Sequence, residues 1–146
     1  MEFDETGGTA PALNQTQVAL IRVFASFDID RDKDLVPRLV DEGRTRGARF
    51  TVFDCSSHEA PSEEVLERLR ARISHVDAVV VLCGEYTHRA PNVNAELRIA
   101  QEMGKRYYLI AGRRNIDCSR PAVSRMADKL YQWKNGTINE LVIRFH

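Results

Sequence analysis

Apolar residues recur along this chain in two rhythms: short dense runs, and longer stretches repeating every three to four residues, with polar or glycine-bearing breaks between them. The dense runs predict strands and the spaced stretches predict helices. LIRVFASF at 20–27 reads as a buried strand closed by Asp28, Asp30, Arg31 and Asp32. That polar cluster is expected to open a helix with Leu35, Leu39 and Val40 on its apolar side, and Arg44, Arg46 and Gly47 at its end. RFTVFD at 49–54 predicts a second strand, followed by the polar loop CSSHEAP. A helix then starts with Ser62, Glu63 and Glu64 and turns Val65, Leu66, Leu69 and Ile73 inward. DAVVVLCG at 77–84 is almost continuously apolar, as a strand covered on both faces should be. After the loop GEYTHRAP come a helix at 92–103, stopped by Gly104, and a strand at 107–111. Further on the pattern weakens to a short helix at 121–128, an edge strand at 129–132 and a closing helix at 138–145.

Strict alternation of strand and helix with short connections implies a parallel sheet covered on both sides, since parallel neighbours need right-handed crossovers. The expectation is an α/β, flavodoxin-like three-layer sandwich with a central parallel sheet of four or five strands. With 146 residues, 43% of them hydrophobic, the chain suits one core and one domain. That domain is expected to span 17–146, after a flexible leader at 1–16 that carries Gly7, Gly8 and Pro11 without apolar periodicity.

One residue breaks the helical pattern. At about 100° per residue, Val93, Leu97, Ile99, Ala100 and Met103 fill one side of the helix at 92–103, and Glu96 projects among them. A carboxylate on an apolar wall must find a partner, take up a proton or open into a pocket. Such groups are candidates for functional sites.

Charge narrows the function classes. Lysine plus arginine and aspartate plus glutamate each number 21, so no broad cationic field draws in nucleic acid or anionic lipid. No apolar run reaches the ~20 residues of a membrane span, and the first residues lack a signal-peptide pattern. A cytoplasmic protein is expected. Cys55, Cys83 and Cys118 are odd in number and far apart, and His58, His75, His88 and His146 lack ligand spacing, so no metal site is expected.

In open parallel sheets ligands bind at the carboxyl ends of the strands. Ser26, Phe27 and Asp28 after the first strand, the 54–61 loop after the second, and 84–92 after the third all converge there. Phe27 could stack on a ring or simply belong to the core, and Gly84 could admit a ligand to the backbone or simply make a turn. Neither a dinucleotide fingerprint nor a P-loop follows the first strand. Asp28, Asp30 and Asp54 could suit the magnesium pocket of a receiver domain. However, Cys83 and Gly84 stand where a receiver needs its phosphate-accepting aspartate. Capping of the following helix accounts for Asp28 and Asp30 equally well.

Three segments, Ala25-Ser26-Phe27-Asp28-Ile29-Asp30, VVVLCGEYT and NVNAELRIAQEMGKRYYLI, together with the terminal LYQWKNGTINELV, carry a family resemblance. The chain resembles the bacterial Toll/interleukin receptor (TIR)-like domains, in particular the branch that includes the TIR proteins of Thoeris antiphage defence. The resemblance spans about 22–142, and its most specific part is the spacing of Gly84, Thr87 and Glu96 followed by Gly104-Lys105. It implies an enzyme that consumes NAD as a substrate, without a further cofactor, as a glycohydrolase or ADP-ribose cyclase. Glu96 would be the catalytic carboxylate, with Ser26, Phe27, Asp28, Gly84, Thr87 and Asn92 around the substrate. It also implies self-association through the 54–61 loop, a phage-derived trigger and a downstream effector that answers a nucleotide signal. Catalytic relatives commonly carry tryptophan four residues before the glutamate, where this chain has Asn92. A non-catalytic interaction module of the same family and a nucleoside ribosyl-transferring enzyme are the competing expectations.

Overall fold

The computed structural model describes residues 19–59 and 62–145. The expected leader at 1–16 lies outside them, as do Ala60 and Pro61 of the 54–61 loop. In chain order the elements are β1 (Ile21–Phe27), α1 (Val36–Gly43), β2 (Phe50–Cys55), α2 (Glu63–Ser74), β3 (Ala78–Cys83), α3 (Pro91–Glu102), β4 (Arg106–Ala111), β5 (Leu130–Gln132) and α4 (Thr137–Phe145). Short 3-10 turns at Lys33–Leu35 and Thr87–Arg89 lead into α1 and α3.

The five strands form one sheet in the order β2-β1-β3-β4-β5, and every neighbouring pair is parallel. This is the flavodoxin-like order, with its reversal between β1 and β3. Period-two alternation divides the core in two. Val23, Ala25 and Phe27 of β1 pack with Ala78, Val80 and Leu82 of β3 against Leu39 of α1 and Ile138, Leu141 and Val142 of α4. Phe24 of β1, with Val79, Val81 and Cys83 of β3, faces Leu69 and Ile73 of α2 and Val93, Leu97 and Ala100 of α3. All six residues of β3 are buried, as the sequence of an internal strand requires.

Three expectations change. The acidic cluster after β1 is a turn, in which Arg31 and Asp32 donate backbone N–H groups to the Asp28 carbonyl. The helix itself begins at Val36, because Pro37 lacks an N–H and is tolerated only in a first turn. It ends at Gly43, and Val40 is only half-buried. No helix forms at 121–128. The Val123 N–H bonds the Asn94 side chain at 3.1 Å, its carbonyl takes Gln101 Nε2 at 2.9 Å, and the Arg125 N–H bonds Asp128 Oδ2 at 2.7 Å. Side chains therefore satisfy the backbone groups that a helix would have used. Met103 follows the end of α3 and is exposed rather than part of its apolar side. The edge strand and closing helix stand where the sequence places them.

Candidate functional site

Alternation along β1 puts Ser26 on the face covered by α2 and α3, and Glu96 meets it there from the middle of α3. Glu96 is 3% exposed and Ser26 is fully buried. Ser26 Oγ donates to Glu96 Oε1 at 2.6 Å. Ser56, the first residue after β2, donates to the same oxygen at 2.7 Å. Asn92, one turn before Glu96, holds its Nδ2 at 2.8 Å from the Phe27 carbonyl and at 3.4 Å from both oxygens of Glu96. Among the described residues, Oε1 thus has two short donors, and Oε2 has only the long contact with Asn92.

The electrostatic balance at Glu96 is contested. Burial favours the neutral acid, while Ser26, Ser56, Asn92 and the nearby Arg72 guanidinium favour the carboxylate. Burial wins in part, and the carboxyl is pushed up to about 7. Near neutral pH the protonated and ionised forms of Glu96 therefore lie close in free energy.

Glu96 lines a cavity of about 580 Å³, within the ~300–1,000 Å³ of small-molecule sites. Val65, Leu66 and Leu69 of α2 and Pro91 and Ala95 of α3 give it apolar walls. Asn92, Arg72, Asp30 and His58 add polar groups to the lining. Arg72 is already engaged: it grips both oxygens of Asp54 at 2.8 Å, the Cys55 carbonyl at 2.6 Å and Ser57 Oγ at 3.0 Å. A second cavity, about 440 Å³, lies at the opposite ends of the strands around Lys105, Arg106 and Tyr108.

The other expected site residues are placed differently. The Phe27 ring belongs to the core beneath α1 and α4, since adjacent residues on a strand point to opposite faces; only its backbone carbonyl reaches Asn92. Asp28 is buried in the turn, where Oδ1 accepts from the Asp30 N–H at 3.1 Å and Oδ2 lies 3.5 Å from Arg31. Gly84 makes room for Asp32, because a Cβ there would lie 2.4 Å from both Asp32 carboxylate oxygens. Thr87 is fully buried and closes the loop, its Oγ1 accepting from the Gly84 N–H at 2.7 Å. Neither Gly84 nor Thr87 lines the Glu96 cavity. Among the described residues, no group of three or more histidine, cysteine, aspartate or glutamate side chains could hold a metal ion.

A family model described as Thoeris protein ThsB, TIR-like domain, matches residues 24–113, more than half of the chain. The chain belongs to that TIR-like family. No curated protein matches it. The matched stretch of the TIR-like domain contains Ser26, Ser56, Arg72, Asn92 and Glu96, and stops before β5 and α4. Among the described residues, no helix of the TIR-like domain is long and apolar enough to cross a membrane.

Sequence reasoning missed Ser56 and Arg72. Arg72 carried a legible signal, since it stands between Leu69 and Ile73 on the inward side of α2, as Glu96 stands among apolar residues of α3. Ser56 carried none, because serines in a polar loop are ordinary.

Proposed function

We propose that this TIR-like domain cleaves the bond between nicotinamide and ribose in NAD, as a glycohydrolase or ADP-ribosyl cyclase whose product is a nucleotide signal in antiviral defence. The observation that supports this best is Glu96 itself: a buried carboxylate on the wall of a ligand-sized cavity, with two hydroxyls on one oxygen and acceptor capacity left on the other. As the glycosidic bond breaks, its electron pair leaves with the nicotinamide nitrogen and positive charge develops on the ribose. A fixed carboxylate in a site shielded from water stabilises that charge. Water adding to the anomeric carbon, with loss of a proton, gives ADP-ribose; attack by an atom of the adenosine moiety gives a cyclic product. The apolar walls from α2 and α3 suit a flat base beside the sugar.

In this reading the protein acts in the cytoplasm, as an assembly in which the 54–61 loop touches a neighbouring copy. A phage-derived component is the trigger, and an effector reads the nucleotide. Purified protein incubated with NAD, alone and with phage-infected lysate, is expected to release nicotinamide, and Glu96→Ala to abolish the release. Equal release by both proteins removes Glu96 from the mechanism.

Asn92 favours a second reading, a non-catalytic interaction module. It fills the position four residues before Glu96 with a small amide, half-buried and tied to the Phe27 carbonyl. No turnover with any trigger, together with a stable partner that co-purifies, would select that reading.

A further inference from the structure

Ser56 occupies a position in which its single hydroxyl proton has little choice. It sits where the β1–β2 ladder ends, its N–H bonding the Ala25 carbonyl at 2.9 Å. Its Oγ then replaces a main-chain acceptor by taking the Phe27 N–H at 3.1 Å. With that lone pair used, the proton faces Ala25 O at 3.4 Å or Glu96 Oε1 at 2.7 Å, and the shorter contact to a carboxylate wins. Ser26 Oγ donates to the same oxygen at 2.6 Å. Both residues flanking Ser56 are clamped by one side chain, since Arg72 holds the Cys55 carbonyl at 2.6 Å and Ser57 Oγ at 3.0 Å. The start of the loop after β2 therefore delivers a proton donor to Glu96 only while it is seated against α2.

We propose that Ser56 is a positioning residue that favours the ionised form of Glu96 and leaves Oε2 as the oxygen presented to ligand, so that the charge on Glu96 depends on the seating of the loop after β2. This deepens the function proposed above, in which Glu96 acts as a carboxylate. The other ionisable groups around the site are Arg72 on α2 with its partner Asp54 on β2, Cys55, His58 and Glu59 on or after β2, and Asp30 in the turn after β1. From β3 the sole ionisable group on this face is the buried Cys83 thiol. All of these remain when Ser56 alone is changed. A loop displaced from α2 withdraws the hydroxyl, and Glu96 then holds its proton to higher pH.

The test is the titration of the Glu96 side-chain carboxyl in the full chain, followed by ¹³C NMR and assigned by its disappearance in Glu96→Gln. Ser56→Ala is expected to raise the midpoint by about half a pH unit or more, and Ser56→Thr, which keeps the hydroxyl, to bring it back. Where nicotinamide release is measurable, the acid limb of kcat should move the same way while KM for NAD stays put. A merely structural role for Ser56 would move neither quantity in that pattern. A midpoint in folded Ser56→Ala at or below that of wild type overturns the proposal. If Ser56→Ala fails to fold, Ser56→Cys, of similar size and a weaker donor, takes its place, and an unmoved midpoint there overturns the proposal equally. The two readings separate cleanly. A midpoint that responds to Ser56 in a protein that never releases nicotinamide removes the reaction and keeps this role. Glu96-dependent release with a midpoint indifferent to Ser56 does the reverse.

Discussion

Gly84 and Asp32 share one space: a Cβ on the glycine would sit 2.4 Å from each oxygen of the aspartate carboxylate. Asp32 cannot easily give way, being 2% exposed and anchored by Arg113, which donates to its Oδ1 at 2.9 Å. Gly84→Ala should therefore destabilise the fold by about 1–3 kcal/mol, the usual cost of overpacking. Asp32→Ala in the same chain should recover part of that loss. Urea denaturation of the two single variants and the double variant measures the coupling, and strict additivity would refute the clash.

The titration of Glu96 makes stability depend on pH in an unusual direction for an acid. Burial raises its folded value to about 7 from an ordinary 4.5, so the folded state binds more protons than the unfolded chain between those values. Its contribution is fully present below the unfolded value and is lost as pH rises through the folded one. Glu96→Gln, which cannot ionise, should be more stable than wild type at pH 8 by on the order of 3 kcal/mol, the gain shrinking toward pH 5. Chemical melts at both pH values check it. A variant less stable than wild type at pH 8 would mean that the hydrogen bonds to the carboxylate outweigh its burial.

Arg72 ties α2 to the loop after β2 and does so with partly exposed groups: its side chain is 28% exposed and that of Asp54 is 29%. Removing it should cost only about 1 kcal/mol globally, because solvent screens the pair. The local effect should be larger. Arg72→Gln is expected to speed amide exchange at 55–59 while leaving β3 protected, read by hydrogen-exchange mass spectrometry. Asp54, held below its usual carboxylate range first by its hydrogen bonds to Arg72, loses this contribution as pH falls through its folded value. The loop should therefore loosen in acid in wild type but not further in Arg72→Gln.

How much of this was legible in the chain depends on the range of the forces involved. The order of strands and helices was visible, because a strand covered on both faces must be apolar and a covered helix must repeat its apolar residues. Glu96 stood out by violating that repeat. The Phe27 ring was placed in the site as one option although the same alternation that faces Ser26 toward α3 turns it away. Gly84 and the segment at 121–128 were illegible for another reason. Their shapes are set by Asp32, and by Asn94 and Gln101, partners far off in sequence whose approach no local pattern records.

Asn92 offers the sharpest test of whether Glu96 must be charged. Its amide lies 3.4 Å from both carboxyl oxygens of Glu96 and donates to the Phe27 carbonyl at 2.8 Å. Asn92→Ala removes a donor and should raise the pH at which Glu96 ionises. Asn92→Asp is nearly the same size but puts a second carboxyl against the first and against a carbonyl oxygen, where two negative charges cannot coexist cheaply. The pair should then keep one proton well above neutral pH. In the reaction proposed above, nicotinamide release at pH 7 is expected to fall about tenfold or more in Asn92→Asp, further than in Asn92→Ala, with partial recovery toward pH 9. A loss of the same size at every pH in both variants would mean that Asn92 shapes the cavity rather than the charge, and rates measured across pH 6–9 for the three proteins decide between these outcomes.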